Sequence, residues 1–184
     1  MKQLFKSTAF IAAMIILFVV IITGVCVLAG TLRHDEPEVL YNFAVSAIDI
    51  QGMIEDTNLL SNIEVLLTAI SEGAIEDTEI NNMIQHGLSA ARVYKKTYYE
   101  MTPTDDTLVL YKSLVKEGTL INSCYVSLNS AWSARQADDF TACNEYLDDA
   151  RKQYEEVINL RAQNRAELDN MQSEAELEMR EEGD

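Results

Sequence analysis

The stretch between Lys6 and Arg33 contains no charged residue, and its centre at 9–30 is almost wholly apolar (AFIAAMIILFVVIITGVCVLAG). A helix over these residues is about 33 Å long at 1.5 Å of rise per residue. The hydrocarbon core of a bilayer is about 30 Å thick, so such a helix is long enough to cross it. The sequence therefore predicts a single membrane-spanning helix at 9–30.

The charges that flank this run predict its orientation. Lys2 and Lys6 precede it, whereas Arg33 is followed within three residues by Asp35 and Glu36. By the positive-inside rule, 1–8 is a short cytoplasmic N-terminus, 31–36 is a juxtamembrane linker, and the rest of the chain lies outside the cytoplasm.

A cleaved signal peptide is the alternative to an anchor, and it would give a secreted protein. Val27, Leu28 and Ala29 provide compact residues at the positions that a signal peptidase reads,. The apolar run is nevertheless longer than the usual signal core of about 7 to 15 residues, which favours an uncleaved anchor.

Composition limits the class of the remaining domain. The chain has 184 residues, so the part after the anchor suffices for one domain with a real core,. A net charge of -16 repels phosphate backbones, which argues against a nucleic-acid partner,. Only two prolines and seven glycines are present, which is sparse for a β-sandwich with many turns and favours helices,.

Apolar residues recur at helical spacing in five segments after the linker. Proline, acidic and Thr/Asp capping residues mark the starts, and glycine or proline marks several ends. The predicted helices run from Pro37 to about Glu55, from just after Thr57 to Gly73, from Ile80 to Met101, from Asp106 to Trp132, and from Asp138 or Asp139 onward.

Alternating spacings of four and three in the third and fifth segments are typical of bundle packing. We therefore predict an all-α fold, with an N-terminal transmembrane helix followed at 37–172 by an up-down antiparallel bundle of four to five helices. The apolar seam of the last helix turns polar at Arg161 and Asn164. We interpret this as the helix continuing past the bundle before an acidic C-terminal tail at 173–184.

Cys124 and Cys143 fall on the apolar faces of the last two predicted helices, on either side of a turn near 134–137. In a symmetric hairpin they are about one turn out of register, while a disulfide needs Cα atoms within about 7 Å. A possible disulfide between Cys124 and Cys143 therefore requires an asymmetric turn or a helix shift, and an oxidising compartment would favour it. Two reduced core cysteines are the alternative.

Tyrosines are concentrated on the last three helices, and most are expected to pack in the core with their hydroxyls at its rim. If several converge, they line a possible small-ligand pocket between helices. The candidates for that pocket are Tyr94, Tyr98, Tyr125 and Tyr154.

No catalytic, metal or cofactor site is predicted. His34 and His86, the only histidines, have no cysteine or acidic partner at metal-ligand spacing, and Ser89 does not lie in a nucleophile-elbow motif,. Neighbouring aspartates such as Asp148 and Asp149 diverge by about 100° on a helix, so they do not chelate one ion well.

The sequence predicts a membrane-anchored, single-pass protein whose extracytoplasmic bundle is an interaction module, with another envelope or membrane protein as its partner and no catalytic role. The alternative is an extracytoplasmic small-ligand sensing or binding domain that signals through a partner, an architecture suggested by analogy alone.

Overall fold

A computed structural model of the chain describes residues 36–73 and 75–181. The predicted cytoplasmic N-terminus at 1–8, the predicted membrane helix at 9–30 and all but the last residue of the predicted linker lie outside the described residues. No helix in the described part of the chain is both long enough and apolar enough to cross a membrane.

The fold of the described residues is all-α, as predicted from the sequence. Five helical segments are present: α1 (Pro37–Asp56), α2 (Leu59–Glu72), α3 (Asp77–Glu100), α4 (Leu108–Gln136) and α5 (Phe140–Glu181). They fill four positions of a helical bundle, because α1 and α2 follow one another along a single edge.

The break between α1 and α2 has a local cause. The hydroxyl of Thr57, the residue after α1, donates to the carbonyl groups of Met53 and Ile54, at 3.0 and 3.1 Å. Asn58 then adopts a left-handed conformation with φ of 53°, which asparagine tolerates better than most residues,. The chain re-enters a helix at Leu59 in nearly the same direction.

Cross-helix hydrogen bonds show that α1 and α2 run parallel to α4. The side chain of Gln51 meets that of Glu117, and the Tyr125 hydroxyl donates to the carbonyl of Leu59; both pairs are 66 residues apart. Arg135 near the end of α4 donates to the carbonyl of Ile70 near the end of α2. The difference in residue number between paired positions stays nearly constant, at 65 or 66, so α1 and α2 run in the same direction as α4.

The helices α3 and α5 run the other way. Along α4 and α5, the contacts Ser113 with Asn164 and Ser127 with Gln153 pair rising with falling numbers. Gln85 of α3 likewise meets Asn129 of α4, while residues later in α3 meet earlier ones of α4. Neighbouring helices of the bundle are therefore antiparallel.

The last helix extends further than the sequence predicts. It continues through Glu181, although the predicted acidic tail begins at 173, and Ala175 is buried. Its polar residues Arg161 and Asn164 are also buried, as is Leu168, so the polar part of the seam packs inside the bundle.

Two helices approach closely at Gly87 of α3. A methyl group on this glycine would overlap the ring of Tyr125 on α4. Gly52, on α1, has nothing within 4 Å of the corresponding position. Gly87 and Gly52 therefore have different roles: Gly87 makes room for an aromatic ring, and Gly52 does not.

We expect Gly87→Ala to lower the free energy of unfolding by about 1–3 kcal/mol, because the Tyr125 ring must move out of its place in the core. The matched control Gly52→Ala should raise it by about 0.5–1 kcal/mol, because alanine loses less backbone freedom in a helix. Urea unfolding followed by circular dichroism measures both. Equal effects of the two variants would contradict the close packing at Gly87.

Candidate functional site

A cluster of polar side chains occupies the middle of the bundle core. At its centre is Glu117 of α4, whose side chain is 0% exposed. Its carboxylate accepts hydrogen bonds from Arg161 Nη1 at 2.9 Å, Asn164 Nδ2 at 2.8 Å and Gln51 Nε2 at 3.3 Å. Two helices, α1 and α5, thus contribute three donors to one buried carboxylate of α4. We call Gln51, Glu117, Arg161 and Asn164 the polar cluster.

Arg161 joins the polar cluster to the surface. Its Nη2 donates to the backbone carbonyl of Gln51 at 2.7 Å and to the carboxylate of Glu55 at 2.9 Å. The Arg161 side chain is 11% exposed, whereas that of Glu55 is 66% exposed. The guanidinium group therefore has one buried and one solvated carboxylate partner. A buried charge is tolerated when it is paired and its remaining donors are used, and both conditions hold here.

Tyr98 of α3 lies beside this cluster. Its hydroxyl is buried and near the carboxylate of Glu117, but it makes no hydrogen bond of good geometry with any described residue. Burial, reinforced by the negative charge of Glu117, raises the pKa of Tyr98 above its ordinary value. The tyrosine therefore stays a neutral phenol.

The sequence contains a signal for Glu117 that counting apolar residues misses. Seam residues of α4 alternate by four and three, but the apolar series jumps by seven from Leu114 to Ile121, and Glu117 fills the gap. On α5, Arg161 and Asn164 occupy two successive seam positions in the same way. Opposite charges in seam gaps of two neighbouring helices would have indicated an internal ion pair.

Tyr94, Tyr125 and Tyr154, three of the four tyrosines proposed for a ligand pocket, donate instead to the α1–α2 edge. Tyr94 donates to the carbonyl of Met53 at 2.8 Å, and Tyr125 to that of Leu59 at 2.7 Å. Tyr154 donates to the Glu64 carboxylate at 2.7 Å. These tyrosines come from α3, α4 and α5, so each of the three other helices contributes one hydroxyl to this edge. Those of Tyr94 and Tyr125 reach carbonyl groups on either side of the helix break, and that of Tyr154 reaches a side chain further along α2.

The fourth candidate, Tyr98, faces the polar cluster rather than this break. Of the four candidates, Tyr154 lines a surface groove, together with Glu64, Glu155, Ile158 and Asn159. A shared pocket lined by all four tyrosines stays a prediction.

Cys124 and Cys143 are buried, free thiols in the structure. The Cys124 thiol donates to the carbonyl of Ala150 at 3.4 Å. Ala150 is seven residues beyond Cys143 on α5, about 10 Å along the axis. A disulfide between them stays a prediction, and it would require α4 and α5 to slide past one another.

The remaining predicted candidates are at the surface or outside the described residues. His86 is exposed on α3, and His34 lies outside the described residues. Asp139 accepts a hydrogen bond from the backbone N–H of Ala142 at 3.1 Å, as a helix-capping residue does,. In the described part of the chain, no group of three or more histidine, cysteine and acidic residues is arranged to hold a metal ion.

Comparison of the chain with protein-family models, with curated proteins and with solved structures finds no match.

We expect Arg161→Leu to lower the free energy of unfolding by about 3–5 kcal/mol, because it leaves the buried Glu117 carboxylate without its cation. Replacing both residues by leucine should cost much less than the sum of the two single replacements, because no unpaired charge remains. Urea unfolding of the single and double variants measures the coupling.

The same two helices provide a matched control. Lys116, next to Glu117 in sequence, pairs with Glu156 at 2.6 Å in an exposed position. Lys116→Ala should cost about 1 kcal/mol at most, because solvent screens an exposed pair. A cost for Arg161→Leu as small as this would contradict the structural role of the polar cluster.

Burial raises the pKa of Cys124 to about 12. In a full chain that carries Cys26→Ser, we expect iodoacetamide at pH 8 to leave folded Cys124 unmodified, because the thiolate is the reactive form. Unfolding in urea without reductant should then yield two adducts by mass spectrometry, whereas a disulfide would yield none. The unfolded thiol ionises near a pKa of about 8.5, so this group stabilises the fold below that pH and its contribution declines as pH rises toward 12,.

Proposed function

We propose that this chain is a membrane-anchored interaction module, with a helical bundle held outside the cytoplasmic membrane to bind another envelope or membrane protein. The observation that carries the proposal is the charge-free run at 9–30, which is followed by a bundle that uses its internal polar groups for its own packing. The proposed bundle has up-down topology. The proposed membrane topology is single-pass, with 1–8 in the cytoplasm.

The interior of the bundle supports a role in binding rather than in chemistry. Glu117, the most buried carboxylate of the polar cluster, is enclosed by its own donors, so a substrate would have to open the bundle to reach it. Arg161 is held from both sides by carboxylates. We therefore propose no catalytic role for these residues.

The surface supports an interaction with a protein. Large apolar side chains are exposed on all five helices, and exposed apolar surface is where protein partners bind. Among them are Val39 and Met53 on α1, Val65 on α2, Val93 and Tyr99 on α3, Val109 and Val126 on α4, and Phe140, Ile158 and Leu177 on α5. The net charge of -16 keeps such a surface soluble and argues against a nucleic-acid partner,.

Membrane fractionation tests the anchor. We expect the full chain to stay in the membrane pellet after alkaline carbonate washing. Val19→Arg together with Val20→Arg should release it, because each charge at the centre of a membrane helix costs about 2.5–3.5 kcal/mol. Val93→Arg, on the exposed surface of α3, is the matched control and should remain in the pellet.

The same membranes test the partner. After extraction in mild detergent, size-exclusion chromatography with light scattering should show the chain in a stoichiometric complex with a second polypeptide. Full-length, uncleaved chain in the soluble fraction would overturn the anchor, and a clean monomer in mild detergent would overturn the interaction module.

A further inference from the structure

The outer face of α2 has two shallow apolar grooves that share one residue. The first lies between α2 and the segment that connects α2 to α3. It is lined by Glu64, Val65, Thr68, Ala69 and Ile75. The second lies between α2 and α5 and is lined by Glu64, Tyr154, Glu155, Ile158 and Asn159. We call these two grooves, with the ridge of Glu64 between them, the α2 face.

Apolar side chains and one fixed carboxylate alternate across the α2 face. Val65 is 43% exposed in the first groove and Ile158 is 41% exposed in the second. Glu64 stands between them and accepts the hydrogen bond of Tyr154 at 2.7 Å, which fixes the direction of its carboxylate. A partner on this face thus meets apolar surface on both sides of a positioned negative charge.

The first half of the chain, which contains α2, contributes many negative charges and almost no positive ones. From His34 to Ala91 the sequence contains eleven aspartates and glutamates and no lysine or arginine. The second half contributes cations on α4 and α5. Arg135 donates to the carbonyl groups of Ile70 and Ser71, Arg161 is paired with Glu55 and Glu117, and two further arginines of α5 are paired within their own helix. Arg151 contacts Asp148 at 2.8 Å, and Arg165 contacts Asp169 at 3.0 Å.

This charge pattern selects among possible occupants. Two copies of the α2 face would place acidic surface against acidic surface, which is repulsive. Grooves on both sides of a helix, about 21 Å long for the 14 residues of α2, match the reach of three to four turns of a partner helix,. Such helices dock through apolar residues at i, i+3, i+4 and i+7.

We infer that the α2 face is the docking surface of the module and that it takes an amphipathic helix with lysine or arginine beside its apolar stripe. This inference rests on the proposed function, because it names the surface and the chemistry of the partner for the same interaction. Val65 and Ile158 supply the apolar contact, and Glu64 supplies the contact to a cation.

The probe is a fluorescein-labelled synthetic peptide of about 18 residues, with leucine at i, i+3, i+4 and i+7 and lysine on both sides of that stripe. The target is the full chain in nanodiscs of phosphatidylcholine, and empty nanodiscs report binding to lipid alone. We expect saturable binding by fluorescence anisotropy. A peptide with glutamate in place of lysine, and a peptide of the same composition without the stripe, should not bind.

Variants locate the site of binding. Val65→Ser and Ile158→Ser should each weaken binding about tenfold, because each removes apolar contact from one groove. Glu64→Gln keeps an acceptor for Tyr154 and should also weaken binding. Val93→Ser, at a valine of α3 that is 57% exposed against 43% for Val65, is the matched control and should leave binding unchanged. Equal binding of the peptide without a stripe, or equal losses in Val65→Ser and Val93→Ser, would overturn the assignment.

Photo-crosslinking separates this inference from the proposed function. A benzophenone amino acid at position 65 or 93 is introduced into the chain in its native membranes. Crosslinks to the companion polypeptide from 65 and not from 93 support the α2 face. A companion that crosslinks from 93 alone overturns the α2 face and leaves the interaction module intact, whereas the absence of any companion overturns the module itself.

Discussion

The buried ion pair between Glu117 and Arg161 is the interaction on which the arrangement of the bundle depends. A carboxylate with no exposed surface is tolerated only where a cation and further donors meet it,. A slip of α5 along α4 by seven residues would bring Tyr154 or Leu168 to the place of Arg161 and leave the carboxylate unpaired. An apolar seam tolerates such a slip far better, because leucine packs against leucine in several registers. The ion pair therefore fixes the register of the bundle more strongly than apolar packing does.

Arg161 also helps to hold α1 and α2 in place on either side of the break between them. Arg161 holds the carbonyl of Gln51 and the carboxylate of Glu55, just before the break at Thr57 and Asn58. Tyr94 and Tyr125 then hold the carbonyls of Met53 and Leu59 on the two sides of that break. Donors from all three other helices thus replace the continuity that a single long helix would have. As a consequence, α2 is oriented by side-chain contacts rather than by the helix that precedes it.

Helix positions could be predicted from the sequence because their causes are local. Pro37 at the first turn of α1, Gly73 at the end of α2 and the aspartate at 139 before α5 determine these ends through backbone geometry and capping,. The role of Arg161 could not be predicted in this way, since apolar periodicity assigns a polar seam residue to the outside of a bundle. Only the position of Glu117 on another helix reverses that assignment.

The tyrosines show the same limit in another form. The spacing of Tyr94, Tyr98 and Tyr125 places them correctly toward the interior, but the acceptors of Tyr94 and Tyr125 are backbone carbonyls beside a helix break. A carbonyl has no signature in the sequence, and its availability depends on where the helix is interrupted. A cluster of aromatic residues on facing helices is therefore compatible with a ligand pocket and also with a helix break held by hydrogen bonds. The two arrangements differ in which acceptors the tyrosine hydroxyls bind.

Charge is distributed in a way that separates the interior from the outer surface. The polar cluster balances one buried carboxylate with one guanidinium, and the second carboxylate of Arg161, that of Glu55, is already in solvent. The core therefore adds little to the field outside, and the large negative charge of the protein comes from its surface. The helices α1 and α2 contain no lysine or arginine of their own. Since the 20 residues of α1 span about 30 Å at 1.5 Å per residue, the α2 face begins about 30 Å from Pro37,. A partner helix can thus reach the α2 face away from the start of the bundle, in a region where the field of the protein attracts a cationic helix and the grooves provide its apolar contacts.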